Sequence, residues 1–128
     1  IQFRGDISRH FARIEFACKC GCGFDTVDAE LVSALDDIRS YFNTPVIINS
    51  GCRCAKHNKA VGGAENSYHL RGQAADIRLF GIRPETVFEY LTNKYNDQYG
   101  IGLYASWCHI DTDRKDQDGK NSVRRVEL

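Results

Sequence analysis

The sequence has no methionine, no excess of either charge, no internal repeat and no low-complexity tract. Without Met there is no initiator. That predicts a processed or trimmed product, or a fragment, with any signal peptide no longer visible. Seventeen Lys+Arg balance seventeen Asp+Glu. A strongly basic nucleic-acid binder is therefore not expected, and only a local patch remains open for such a role. The chain is 42% hydrophobic and 27% charged. Those are ordinary globular values, which exclude a disordered, collagenous or transmembrane protein. Its 128 residues fall within the roughly 100–200 of a single domain, so one domain over residues 1–128 is expected.

What stands out is six cysteines: Cys18, Cys20, Cys22, Cys52, Cys54 and Cys108. Sequence cannot choose among the possible pairings. The run Cys18-Lys19-Cys20-Gly21-Cys22-Gly23 looks like a metal knuckle, but its spacing is C-x-C rather than the C-x2-C that suits a zinc turn. As a strand, the segment would put Cys18, Cys20 and Cys22 on one face. Free thiols in the core, one or more disulfides, and a second metal site all remain open. A chain of this size can build a core without staples, so the count does not demand an oxidising compartment.

Periodicity places the elements. Asp25 or Thr26 can cap a helix to about Phe42, with Leu31, Leu35, Ile38 and Phe42 on its buried face. Asn43-Thr44-Pro45 stops it. Val46-Ile47-Ile48 reads as a short strand ended by Asn49-Ser50-Gly51. Residues 54–60 suit a short helix broken by Gly62-Gly63. Ala74 to Phe80 reads as a strand with Ile77 and Leu79 on one side. Pro84 suits the first turn of a helix to about Tyr95, burying Val87, Phe88 and Leu91. Ile101 to Tyr104 and Trp107 to Thr112 are strand candidates, in a hairpin. Residues 113–122 read as a solvated loop and Val123 to Leu128 as a last edge strand. Helices mixed with mostly antiparallel strands predict a compact α+β domain.

The chemistry concentrates in two segments. Ser67-Tyr68-His69-Leu70-Arg71-Gly72-Gln73-Ala74-Ala75-Asp76 reads S-x-H-x2-G-x-A-x-D, with small residues that let the backbone turn tightly. Trp107-Cys108-His109-Ile110-Asp111 follows on a predicted strand. Two histidines and one aspartate make three ligands, and the fourth tetrahedral position on zinc stays open for water. That is the pattern of a catalytic metal site.

On these residues the chain resembles the M15 peptidases, the zinc D-alanyl-D-alanine carboxypeptidase family, whose fold is shared with the hedgehog signalling domain. The resemblance spans about residues 45–112. It includes Ser50-Gly51-Cys52-Arg53, similar to the family's S-G-[YF]-R. His57-Asn58 and Val61-Gly62-Gly63-Ala64 resemble the small subgroup of phage lysins and bacterial cell-wall peptidases. The resemblance implies one catalytic Zn2+ held by His69, Asp76 and His109. It implies that Arg53 stabilises the oxyanion. It also implies peptidoglycan peptides as partners, cut by metal-activated water. Ser67 either binds substrate backbone or positions His69. Tyr104 and Trp107, with Tyr68, are candidates to line a substrate cleft.

One departure bears on catalysis. Where the family pattern has a glutamate three residues before the last histidine, this chain has Ser106, which cannot take a proton from water. Asp111 is the nearest replacement. It is either the catalytic proton shuttle or a carboxylate that orients a ligand histidine. His57, Tyr104 and Asp113 are weaker candidates. The alternative function is a zinc-binding cell-wall or signalling module of the same fold without catalysis. A third reading puts zinc on the thiolates of a structural cysteine-rich domain. No membrane segment and no nucleic-acid partner are expected, and a monomer is. The substrate implies a periplasmic, cell-surface or phage-released location. The length leaves no room for a separate wall-binding domain, so the fragment is expected to be catalytic only or part of something longer.

Overall fold

A computed structural model describes residues 7–63, 65, 67–95, 98–112 and the backbone of 124–127. A five-stranded sheet carries the molecule, in the order β1-β2-β4-β3-β5. Its strands are β1 Val46–Ser50, β2 Ala74–Leu79, β3 Gly100–Tyr104, β4 Cys108–Asp111 and β5 Arg124–Glu127. All neighbours are antiparallel except β5, which runs parallel to β3 at the edge. Helices α1 Ala29–Phe42 and α3 Pro84–Lys94 contribute to the core, and α2 Ala55–Ala60 is a short helix beyond β1. This is the expected α+β class. The loop expected over 113–122 and Asp113 lie outside the described residues.

Strand alternation sorts the sheet into two faces. Ala75, Ile77 and Leu79 of β2, Ile110 of β4 and Ile101 and Leu103 of β3 are buried in one cluster with Leu31, Leu35 and Ile38 of α1 and Val87 and Leu91 of α3. Each fully buried Leu or Ile is worth roughly 1.5–3 kcal/mol, so this face anchors the fold. The opposite face carries Asp76, His109 and Asp111. Asp76 pairs in register with His109, and Ala74 with Asp111. On the other flank β3 sets a glycine against each of the β4 pair, Gly102 opposite His109 and Gly100 opposite Asp111. A Cβ on Gly100 would stand 2.5 Å from the Asp111 carboxylate. The missing side chain makes room for that carboxylate.

Helix α1 starts later than either expected cap, Asp25 or Thr26, allows. Asp28 is the N-cap: its carboxylate accepts from Leu31 N–H at 3.2 Å and from Thr112 Oγ1 at 2.9 Å. The cap wins because it also ties the end of β4 to the helix. Asn43 ends α1 in the left-handed conformation, at φ 52. A bulge in β1 sets Ser50 opposite Asp76, and such bulges re-aim side chains beside functional sites. No helix among the described residues is long and apolar enough to cross a membrane.

Candidate functional site

Three elements bring the histidines and the aspartate together. His69 sits in a 3-10 turn, Tyr68–Arg71, whose N-cap is Ser67. The Ser67 hydroxyl accepts from His69 N–H at 3.1 Å, so Ser67 holds the histidine's backbone as well as lining the cleft. Asp76 comes from β2 and His109 from β4. Asp76 Oδ1 lies 3.4 Å from His69 Nε2 and 2.9 Å from His109 Nδ1. His69 and His109 are buried, and Asp76 is half-buried.

The outer nitrogens of both rings are already committed. His69 Nδ1 is 2.6 Å from the Gly51 carbonyl. A carbonyl can only accept, so Nδ1 carries the proton and Nε2 keeps its lone pair. His109 Nε2 is 3.0 Å from Asp111 Oδ2. That carboxylate holds the proton on Nε2 and leaves Nδ1 as the inward donor. Carbonyl and carboxylate partners of this kind fix ligand histidines in metal sites. The edge of a zinc tetrahedron with nitrogen and oxygen ligands is roughly 3.3 Å, given bonds of about 2.0 Å. The observed donor separations of 2.9 and 3.4 Å bracket it. The donor set fits a metal ion.

The electrostatics agree. Burial pushes the Asp76 carboxyl up, but hydrogen bonds from His109 and His69 hold it well below the usual carboxylate range. Burial alone would lower the His109 imidazole. Contacts with Asp111 and Asp76 outweigh it and raise the group to about 9. A proton and a metal ion therefore compete for the same Nδ1.

These groups face a cleft of about 310 Å³ lined by Arg53, Gly63, Ser67, Tyr104 and Trp107 among others. Tyr104 and Trp107 stack with ring centroids 4.7 Å apart and planes 4° from parallel, forming one flat wall. Tyr68 is not in that lining; it stacks under Arg71, 5.6 Å from the guanidinium. Arg53 Nη2 is 3.5 Å from Asp76 Oδ2. Its Nη1 donates to Asn58 Oδ1 at 2.8 Å and its Nε to Ser50 Oγ at 3.2 Å. The guanidinium is thus fixed at the mouth of the donor set. Ser106 is exposed. Asp111 is buried behind His109 and is not in the lining. Among the described lining residues, Asp76 is the only carboxylate. His57 donates its backbone N–H to Cys54 Sγ, away from the cleft.

Sequence reasoning quoted Asn58 and Gly51 within motifs but gave no role to the Asn58 amide or the Gly51 carbonyl. Asn58 is a buried amide, and its place beside His57 gave no sign that it restrains Arg53. A backbone carbonyl leaves no residue-type signal at all.

The fold and site define a small α+β protein with a two-histidine, one-carboxylate candidate metal centre at the floor of an open cleft. Residues 9–111 match the model of the family described as Peptidase M15, and the chain belongs to that family. At the family level it is a metallopeptidase. No curated protein and no solved structure matches the chain.

Proposed function

We propose that the protein is a zinc-dependent peptidase that hydrolyses peptidoglycan stem or cross-link peptides, as a carboxypeptidase or an endopeptidase. One observation carries this reading. Gly51 and Asp111 occupy the outer ring nitrogens, so His69 Nε2 and His109 Nδ1 both turn toward Asp76 Oδ1, and the three atoms converge on an open cleft. When bound, zinc supplies a Lewis acid that lowers the pKa of water and polarises a carbonyl. The chain's own residues do the rest. Arg53 presents a fixed positive charge where an oxyanion develops, and Asn58 and Ser50 keep it from rotating away. Tyr104 and Trp107 offer a flat surface against which an extended peptide lies. Ser67 holds the His69 turn. Asp111 orients His109 and keeps the proton on Nε2, in preference to shuttling protons at the cleft. Its burial and its 3.0 Å contact support that role.

A second reading is a metal-binding cell-wall or signalling module without turnover. Ser106 favours it, together with the lack of a second carboxylate among the described lining residues. Incubation of the protein with muropeptides, with and without a chelator, separates the two. Chelator-sensitive cleavage at one bond, read by mass spectrometry, supports the peptidase and names the bond. Intact muropeptides beside a metal-loaded protein support the module.

A further inference from the structure

A second cluster lies next to the cleft, on the other side of Arg53. The thiols of Cys18, Cys20, Cys22 and Cys54 all lie within 4.8 Å of one another. We propose that these four cysteines form a separate, structural tetrathiolate site for a thiophilic divalent cation of the zinc class.

The local fold explains how a C-x-C-x-C run can do this. In a strand, alternate side chains stand about 6.7 Å apart, too far to share one cation. The segment is not a strand. Gly21 and Gly23 take positive φ values of 83 and 92, which glycine tolerates without strain. Gly21 N–H bonds the Cys18 carbonyl at 3.1 Å, and Cys18 N–H bonds the Phe24 carbonyl at 2.7 Å. The chain curls into a closed knuckle and its three thiols turn inward. Cys54 arrives from the far side of β1 as the fourth.

The spacing matches a metal and not a disulfide. Sγ separations are 3.4 Å for Cys18–Cys20, 3.8 Å for Cys18–Cys54 and 3.7 Å for Cys20–Cys54. A zinc–sulfur bond of about 2.3 Å gives a tetrahedral edge of roughly 3.8 Å. A disulfide needs about 2.05 Å. Backbone donors face the sulfurs as well. Cys54 N–H points at Cys18 Sγ and His57 N–H at Cys54 Sγ, each at 3.4 Å. Such N–H groups stabilise thiolate charge around a metal.

The site has a structural task. Cys54 is the N-cap of α2 and follows Arg53 directly. Cys52 N–H bonds the Phe16 carbonyl at 2.9 Å, and its thiol the Phe24 carbonyl at 3.0 Å. A cation on the four sulfurs would complete the stitching of residues 16–24 to 52–54. It would thereby fix the segment that aims Arg53 at the cleft. Nothing in this placement opens the thiolate site to a substrate, because all four positions are protein ligands.

Elemental analysis of the purified full chain tests the proposal. Two metal equivalents per chain are expected. His69→Ala should leave one, and Cys22→Ser should leave the other. Cobalt substitution of the wild-type protein should show an intense sulfur-to-metal charge-transfer band, which persists in His69→Ala. That measurement needs no cysteine variant to fold. A single equivalent that disappears in His69→Ala would overturn the site. So would a cobalt protein without the charge-transfer band, or an intact mass two hydrogens short, which signals a disulfide.

Discussion

The histidine–aspartate cleft and the cysteine knuckle meet at the peptide bond between Arg53 and Cys54, yet they are organised in opposite ways. The cleft donors stand on paired strands and a capped turn, with each ring locked by an outer partner. Negative Asp76 faces two imidazoles, so the groups attract one another without further help. The knuckle is a loop. Cys20 and Cys22 are exposed, and only Cys18 of the four is buried. Four thiolates repel one another unless a cation sits among them. The thiols share protons unevenly: burial works to raise Cys18, but hydrogen bonds from Cys54 and Cys20 bring it down to about 7, whereas Cys18 and Cys22 push Cys20 up to about 12. A site built on the sheet is organised before its metal arrives. A site built on a loop depends on it.

The largest expected effects come from crossing the two sites. His69→Ala should abolish peptide hydrolysis yet leave amide-exchange protection of residues 16–24 intact. Cys22→Ser should do the reverse in kind. Protection of 16–24 and of α2 should collapse, while the cleft still takes up its metal and activity falls only as far as Arg53 loosens. Hydrogen exchange and elemental analysis on both variants provide the check. If Cys22→Ser leaves exchange of 16–24 unchanged, the loop does not depend on a cation, and the contrast fails.

Next in size is Asp111→Asn. Losing an outer partner of a ligand histidine costs about 10–100-fold in metal affinity or activity. The asparagine keeps the shape of the carboxylate beside Gly100, so packing should hold. As an orienting group, Asp111 should show its loss mainly as weaker metal binding, partly rescued by excess zinc. As a proton shuttle, it would lose turnover at saturating zinc with metal affinity unchanged. Titration with competing chelators, beside rates at saturating zinc, distinguishes the two.

The sequence exposed much of the cleft because its chemistry is local. Ser67, His69 and Asp76 lie within one turn and the strand that follows, and strand alternation set His109 and Asp111 on one face. Alternation could not choose between the two roles of Asp111, because its burial depends on the register of β4 against Gly100 of β3. The knuckle was legible as a cluster but not as a shape. The shared face of Cys18, Cys20 and Cys22 was conditional on a strand, the turns at Gly21 and Gly23 went unread, and nothing local joins Cys54 to Cys18. The start of α1 slipped for the same reason. Asp28 prevails over Asp25 through a contact with Thr112, which is 84 positions away.

A third polar cluster gauges what such groups contribute with no metal involved. Asp37 of α1 accepts from Lys94 Nζ at 2.7 Å, Tyr90 Oη at 2.8 Å and Tyr95 Oη at 3.3 Å, tying α1 to α3. Burial works to raise its carboxyl, but Lys94 and the two hydroxyls hold it below its ordinary value of 3.8. The stability this provides is present above the unfolded carboxyl's pKa and is lost as pH falls through the lower, folded value. Asp37→Asn should therefore cost about 1 kcal/mol at neutral pH, the scale of a partly exposed pair. The gap between variant and wild type should close toward pH 3 and below, as the native carboxyl also becomes neutral. Chelator should leave that gap unchanged, since each acceptor here already has its donors. A gap that widens on metal removal would mean that α1 and α3 also lean on a bound cation, and the division between a self-organised sheet and a metal-dependent loop would lose its boundary.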